Sequence, residues 1–595
     1  MGPYHPVDAS PAGHRGTEKI AANCPAGTAL LRFIPDVSVC ETSRVPLFGR
    51  AAAPLRIHRD RLRALEGCRT LRGKDPVRHP CRHTGVEYVP LPPCHPQDGA
   101  AGPLSIHTRQ QGYPDPPEGF MRRTVSPCPD RATPHRTVIR RIADKLPFPP
   151  LVLFVAALAV YSTTFGFELL ATWDDKLYLI RNETITAFTP AHIKEAFTNY
   201  YLGNYAPLHI LSYMLDHLLW GLHPAGYHAE NVLFHGLNGV LVYLFLRRID
   251  ASRTYAAIAA WIFLFHPVQV ETVAWVSQRK NLLAMFFFLL ALLSYQAYRQ
   301  RTEKRTRAYL LALCWTTAAV LCKSVTVIIP VMVLLYDLTL AGERRPIRSL
   351  LPDKIPFVLI AAGAAFMAIL SQSPEYGGGR RDYYGGGPLA TAYTMAPVLA
   401  SYLRDCLWPF DLIPFYYLID VRTKPDMTFL ASVSILALVA GCGVWLHRHR
   451  KALLFWYGLF FIALVPVMQI VPLITLKHDR YLYFPMLGFA VLATELVRHA
   501  GLKSPARLRY ALTGFGALVL TLLPVAAFRQ TLHWRNDITL WSRAVAVEPD
   551  NRLGWRLLSM AYTQRGDAAN AGGALNRYLE LSARPGSAHH YEEQH

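Results

Sequence analysis

The sequence predicts an all-α, polytopic membrane protein of about eleven transmembrane helices, followed by a short C-terminal segment of tetratricopeptide-repeat-like helices. Three observations predict it. Mean hydropathy is +0.17 over the 595 residues, although residues 1–146 are polar and rich in Pro, Gly, Arg and His, so the apolar excess lies after Pro147. It comes in blocks near the roughly 20 residues needed to cross a bilayer. The net charge of +21 is gathered in short basic stretches between those blocks, as in Tyr298–Arg307, Arg344–Lys354 and His447–Lys451, which is how cytoplasmic loops look under the positive-inside rule. Nucleic-acid binding is excluded as a partner class, because no folded basic face with base-reading partners is in evidence.

Three regions follow: 1–146, a membrane domain over 147–530, and repeat-like helices over 531–585. Residues 1–146 show no sustained helical or alternating apolar pattern. The segment reads either as a disordered cytoplasmic tail or as sequence upstream of a misassigned start, for which Met121, followed by Arg122 and Arg123, would serve. No charged n-region with an apolar core of about 7–15 residues marks a signal peptide. Six of the 10 cysteines fall here, at Cys24, Cys40, Cys68, Cys81, Cys94 and Cys128. Their irregular spacing without a CxxC pair argues against a zinc framework or a disulfide knot.

Apolar spans are expected at about 148–170, 226–247, 254–270, 281–298, 308–323, 324–340, 355–372, 428–446, 452–471, 482–499 and 508–528. With an odd count, every basic connection falls on the cytoplasmic side and the two termini lie on opposite faces. The N-terminus is then cytoplasmic and the C-terminal helices extracytoplasmic, in what reads as a bacterial inner (plasma) membrane protein. Counting Tyr393–Phe410 as a twelfth span would put HRHRK and RHAGLKSPARLR outside, so that segment is read as a helix lying in the outer interface. After the last span, Trp541, Ala544 and Pro549, then Trp555, Leu558, Tyr562, Gly566 and Ala571, fit one and a half repeats of about 34 residues. So few repeats cannot stand alone and are expected to pack on the membrane domain.

Candidate chemistry sits at the outer ends of the spans. Asp174 and Asp175 follow the first span in TWDDKLYLIRNETI; a carboxylate beside the bilayer is costly unless solvated or paired. Such a pair can supply one general base and one group that orients an acceptor or binds a metal; a solvated loop pair is the plain alternative. Glu271 ends the third span, and Arg279 and Lys280 begin the fourth. Cations there can neutralise a lipid phosphate, or they snorkel while Trp275 anchors the interface. Lys323 occupies the next outer turn. The loop ITLKHDRYLYFP gathers Lys477, His478, Asp479 and Arg480, with Asp479 placed to set the geometry of Arg480 for anion recognition. His228, Asn231, His235 and Asn238 form one polar stripe on a helix, suited to interhelical hydrogen bonding more than to metal ligation. The run Tyr376–Gly387 lacks the ending of a phosphate loop and reads as a linker or a mobile outer loop.

The segments WDDKLYLIRN, YAPLHILSYMLDHLLWGLHPAGYHAENVLFHGLN, FHPVQVETVAWVSQRKNLLAMFF, LCKSVTVIIPVMVLLYDL and HDRYLYFP, in that order, resemble the transmembrane and tetratricopeptide-repeat protein O-mannosyltransferases and their bacterial relatives, of the GT-C class of glycosyltransferases. The likeness runs from about 148 to 583. It implies a polyprenyl- or dolichyl-phosphate-linked sugar donor, an acidic motif in the first outer loop, and a repeat domain on the outer side. Asp174 or Asp175 would be the catalytic base, Glu271 would occupy the second acidic position, and Arg480 would contact the donor phosphate. Arg279, Lys280 and Lys323 are assigned to that phosphate by charge and position, and His478 and Asp479 to the same substrate loop. The relatives carry long repeat arrays where this chain has barely one and a half.

The resulting expectation is transfer of a mannose-like hexose to a hydroxyl of a protein or glycan acceptor outside the cytoplasm, by single displacement with inversion. No cofactor is certain; paired acids permit a divalent metal, and phosphate-binding cations can substitute for one. The rival classes are a non-enzymatic scaffold that holds a partner through its repeats, and a lipid or sugar transporter, which would want charges or broken helices at mid-bilayer.

Overall fold

The computed structural model describes residues 149–249, 251–300, 303–341, 346–373, 382–417, 419–503 and 505–584. The expectations for 1–146, and the first half of the glycine-rich run, lie outside them. The described residues are helical throughout, with no β-strand among them. Each predicted apolar block is a helix: α1 (Pro149–Tyr161), α4 (Pro224–Arg248), α5 (Arg253–Phe265), α7 (Arg279–Gln300), α8 (Arg305–Cys322), α9 (Ile329–Thr339), α10 (Ile355–Ser371), α12 (Met427–His449), α13 (Lys451–Leu464), α14 (Pro485–Lys503) and α15 (Ala506–Thr531). Six of the described helical segments are long and apolar enough to cross a membrane, or seven if the bent pair formed by α5 and α6 (Val270–Ala274) is one span.

Burial sorts these helices. In α7 67% of the apolar window is buried, against 6% in α15, so α7 is central and α15 turns its apolar face to lipid. Close packing rests on small residues, as expected where helices associate without a hydrophobic drive. Gly488 of α14 lies directly on the backbone of α13 at Trp456 and Phe460.

The connection between α1 and α4 is more structured than the sequence suggested. It contains α2 (Pro190–Thr198) and α3 (Pro207–Trp220). In α3 Ile210, Tyr213 and Met214 are buried while Leu215, Leu218, Leu219 and Trp220 are exposed. That two-sided pattern suits a helix packed on the bundle with its other face towards an apolar phase. The segment expected over 393–410 is α11 (Pro388–Leu407), which starts earlier and is not among the long apolar helices.

The chain ends in α16 (Asp537–Val547), α17 (Arg552–Gln564) and α18 (Ala568–Ser582). Gly566, at φ +76°, makes the left-handed turn between the last two. Ala571 and Ala574 are buried against α17, where small side chains let the pair close. Trp541 is fully buried because α16 packs on the membrane domain, as two or three helices alone could not bury it.

Candidate functional site

The break between α5 and α6 builds the site's floor. Pro267 has no N–H and ends the α5 ladder, and the chain turns by 55°. The carbonyls freed by the break must be satisfied away from water, and the polar stripe of α4 does this. His235 Nε2–H donates to Leu264 O at 2.9 Å and its Nδ1 accepts from Tyr483 Oη at 3.0 Å. Asn231 donates to Val273 O (3.2 Å) and Trp275 O (3.1 Å), and Asn238 to Leu282 O (3.0 Å). The stripe therefore serves helix–helix hydrogen bonding, and the irregular backbone over 266–278 is held by side chains, which leaves its carbonyls no role as an ion path.

On this floor stands Glu271, 2% exposed. Its carboxylate takes the backbone N–H of Arg480 at 2.9 Å and a guanidinium nitrogen at 2.6 Å. Arg480 also lies over Trp275, 5.2 Å from the ring centroid. Glu271, rather than Asp479, thus fixes Arg480. Asp479 turns the other way, accepting from Tyr416 Oη at 2.6 Å, and its carboxyl is pushed well above the usual range by burial and by Glu271 and Asp405. His478 faces Pro414 O through Nδ1 at 3.1 Å, and burial lowers its pKa to about 4. It is neutral at neutral pH, so it is no phosphate-binding cation. His478 Nδ1 also lies 3.5 Å from Glu271 Oε1, and both side chains brace the loop that carries Arg480.

The acid pair divides. Asp175 is 1% exposed and accepts from Leu170 N–H (3.0 Å), Ser277 N–H (3.0 Å) and the Ser277 hydroxyl. Desolvation raises its pKa to about 6. Both oxygens accept from donors of its own chain, so Asp175 ties the connection after α1 to the turn before α7. Asp174 is half-buried, and among the described residues its carboxylate has neither a hydrogen bond nor an ion pair. It acts electrostatically on Lys280, Arg480 and His478, so it faces the same space. No group of three His, Cys, Asp or Glu that could hold a metal occurs among the described residues.

The cations divide in the same way. Arg279 is fully buried, paired with Asp216 (2.8 Å) and Glu230 (3.1 Å), and donates to Asn231 Oδ1 (2.5 Å) and Tyr227 O (2.8 Å). Four of its five N–H donors meet partners within the protein, so its charge is answered by Asp216 and Glu230 inside the bundle. Lys280 meets only Tyr178, whose hydroxyl accepts its Nζ–H at 3.1 Å and whose ring lies 4.4 Å away. Lys323 donates to Asn281 Oδ1 at 2.8 Å. Neither lysine has a carboxylate partner among the described residues, although Lys280 is buried. The structure therefore brings Asp174, Lys280, Lys323 and the Glu271–Arg480 pair within electrostatic reach of one another.

Several contributors were not legible in the sequence. Asp216, on α3, is a buried partner of Arg279, and a lone acid in a largely apolar run is its one signal in the sequence. Ser277 and Tyr178 carry no motif of their own.

The family model described as Dolichyl-phosphate-mannose-protein mannosyltransferase matches residues 225–371. Protein O-mannosyl-transferase TMTC3 of Mus musculus is 24% identical over 463 residues, 68% of this chain and 48% of that protein. Protein O-mannosyl-transferase TMTC1 of the same species is 35% identical over 144 residues, 23% of this chain and 15% of that protein. The chain thus spans about half the length of TMTC3. Among solved structures, the oligosaccharyltransferase of Archaeoglobus fulgidus in the apo form has a TM-score of 0.37 at 15% identity, covering 69% of this chain and 59% of that one. ArnT from Cupriavidus metallidurans bound to undecaprenyl phosphate has a TM-score of 0.33 at 15% identity, covering 73% and 76%. Likenesses this loose carry no argument here. The family model and the sequence relatives agree in what this chain is similar to: O-mannosyltransferase-like membrane glycosyltransferases, by the model over residues 225–371 and by TMTC3 over 68% of the chain.

Proposed function

We propose that this chain transfers a mannose-like hexose from a polyprenyl or dolichyl monophosphate to an acceptor hydroxyl at the outer face of a membrane it crosses about eleven times. The observation that carries the reading is the shared space of Asp174, which has no hydrogen-bonding or ionic partner among the described residues, and two lysines without acid partners. A buried ammonium without a counter-ion is unfavourable, and a phosphate would supply one.

In this mechanism Asp174 takes the proton of the acceptor hydroxyl, whose oxygen attacks the anomeric carbon from the face opposite the phosphate. The bond from that carbon to the phosphate oxygen breaks, and the electron pair leaves on the lipid phosphate. Lys280, Lys323 and Arg480 hold the growing charge, while Glu271 keeps the Arg480 guanidinium aimed. In-line placement and preorganised cations are the main sources of rate, and a positioned base typically contributes about 10²–10⁴-fold. The names of the relatives support a protein hydroxyl as acceptor.

The test is transfer from a synthetic lipid-phosphate hexose to acceptor peptides by the purified chain in nanodiscs. Asp174→Asn should lower kcat by about 10²-fold or more with the fold retained. Undiminished transfer by that variant would remove Asp174 from the mechanism, and no transfer by the folded wild type to any hydroxyl acceptor would favour the scaffold reading.

A further inference from the structure

We propose that the three C-terminal helices position the catalytic loop: α16 and α17 clamp the two outer segments that frame the site, and Asp537 and Trp541 fix the placement of Asp174. The inference rests on the transfer reading above.

The clamp has two jaws. On one side Asp537, the first residue of α16, accepts from Ala171 N–H (3.0 Å), Thr172 N–H (3.3 Å) and the Thr172 hydroxyl. One turn on, Trp541 donates its indole N–H to Thr172 Oγ1 at 2.8 Å. Its ring meets Trp173 edge-on, with centroids 4.9 Å apart. Trp173 is wedged further by Trp275 (6.0 Å) and Phe415 (5.9 Å). Glu168 N–H donates to Arg535 O at 3.0 Å, and the Glu168 carboxylate pairs with Arg565.

On the other side, the segment 410–417 is held by Arg543 to Phe410 O (2.6 Å) and by Asn551 to Phe415 O (3.3 Å). Glu548 accepts from Tyr417 N–H (3.1 Å), and Arg552 donates to Tyr417 Oη (3.0 Å). That segment in turn presents Pro414 O to His478 and Tyr416 Oη to Asp479, next to Arg480. Two helices thus grip the stretch leading into Asp174 and the strap bracing the Arg480 loop.

The geometry goes beyond attachment. Thr172 stands two residues before Asp174, and Asp175 is pinned at Leu170 and Ser277. Asp174 is therefore held between two fixed points, one of them supplied by α16. A base must sit within hydrogen-bonding reach of the acceptor, and a displacement of about 1 Å can cost about 10²-fold in rate. Loss of the Asp537 carboxylate would leave three loop donors without their acceptor and free that anchor, without touching any cation of the phosphate site.

The test uses the full chain in nanodiscs. Asp537→Ala removes the acceptor; Thr172→Val removes the hydroxyl at the centre of the jaw while leaving the α16 helix start intact. Asp567→Ala is the control, because that residue caps α18 through Asn570 N–H (3.1 Å) and none of its hydrogen bonds reaches the loop. Kinetics and hydrogen exchange over 168–182 are measured on each folded variant. Asp537→Ala should lose about tenfold or more in kcat, with donor KM changed less than about twofold, and should exchange faster over 168–182. Thr172→Val should do the same to a lesser degree, and Asp567→Ala should match wild type. Should Asp537→Ala fail to fold, Thr172→Val carries the test. Unchanged kcat and exchange in the two jaw variants, or losses that merely follow folded yield in all three, would overturn the clamp. If wild type itself transfers nothing, the transfer reading falls, and exchange alone decides whether the clamp exists.

Discussion

Asp175 accepts three hydrogen bonds from its own chain, while the residue before it, Asp174, has no hydrogen-bonding partner for its carboxylate among the described residues. The adjacency DD was legible in the sequence; the division of labour was not, because it depends on Ser277, 102 positions away. Burial raises the folded pKa of Asp175 from 3.8 to about 6. Its contribution to stability is therefore complete below the unfolded pKa and lost as pH rises through about 6. At about 1.4 kcal/mol per unit, roughly 3 kcal/mol is involved. Asp175→Asn does not titrate, so its stability relative to wild type should rise between pH 4 and 7. Thermal unfolding of both proteins across that range measures it, and parallel curves would contradict the assignment. The cations follow the same logic. Arg279, paired with Asp216 and Glu230 inside the bundle, should behave structurally: Asp216→Ala removes its fully buried counter-ion, leaving only the partly exposed Glu230, and should cost up to roughly 3–5 kcal/mol, seen as a lowered Tm and poor folded yield.

At the scale of elements, the apolar blocks announced their helices because length and hydropathy alone decide that a 20-residue apolar run is helical in lipid. The spacing of His228, Asn231, His235 and Asn238 likewise revealed an inward face. The sequence did not show what the face was for: it satisfies carbonyls released where Pro267 breaks α5, and that break lies on a different helix. The two helices of the first outer connection were missed because α3 is apolar on two sides, a pattern that reads as neither a span nor a soluble amphipathic helix. Helix contact itself is testable at Gly488. A Cβ there would strike the Trp456 carbonyl and sit 3.0 Å from Phe460 N, backbone atoms that cannot swing aside. Gly488→Ala should cost about 1–3 kcal/mol. Gly514→Ala, where nothing lies within 4 Å, should be neutral or slightly stabilising by helix propensity. Chemical or thermal denaturation in detergent compares the two, and equal effects would contradict the packing.

For the whole molecule, four separated stretches, near residues 171–182, 266–281, 323–326 and 477–481, converge on one space, and the hydrogen bonds among them require that they share a face of the bundle. The basic connections between spans had placed these stretches together on the outer side by alternation, so their convergence was foreseeable. Which cations remained available was not, since every one of them looked equally free in one dimension. On the proposed mechanism Lys280 and Lys323 receive a lipid phosphate while Asp174 serves only the chemistry. The most direct measurement is equilibrium binding of a sugar-free polyprenyl monophosphate to the full chain in nanodiscs, set beside transfer by the same variants. The double substitution Lys280→Gln with Lys323→Gln should weaken binding by about tenfold or more, two charge-assisted contacts being lost. Asp174→Asn should bind at least as tightly as wild type while losing transfer. Unaltered binding by the double variant, or a loss of binding in Asp174→Asn that matches its loss of transfer, would contradict the account.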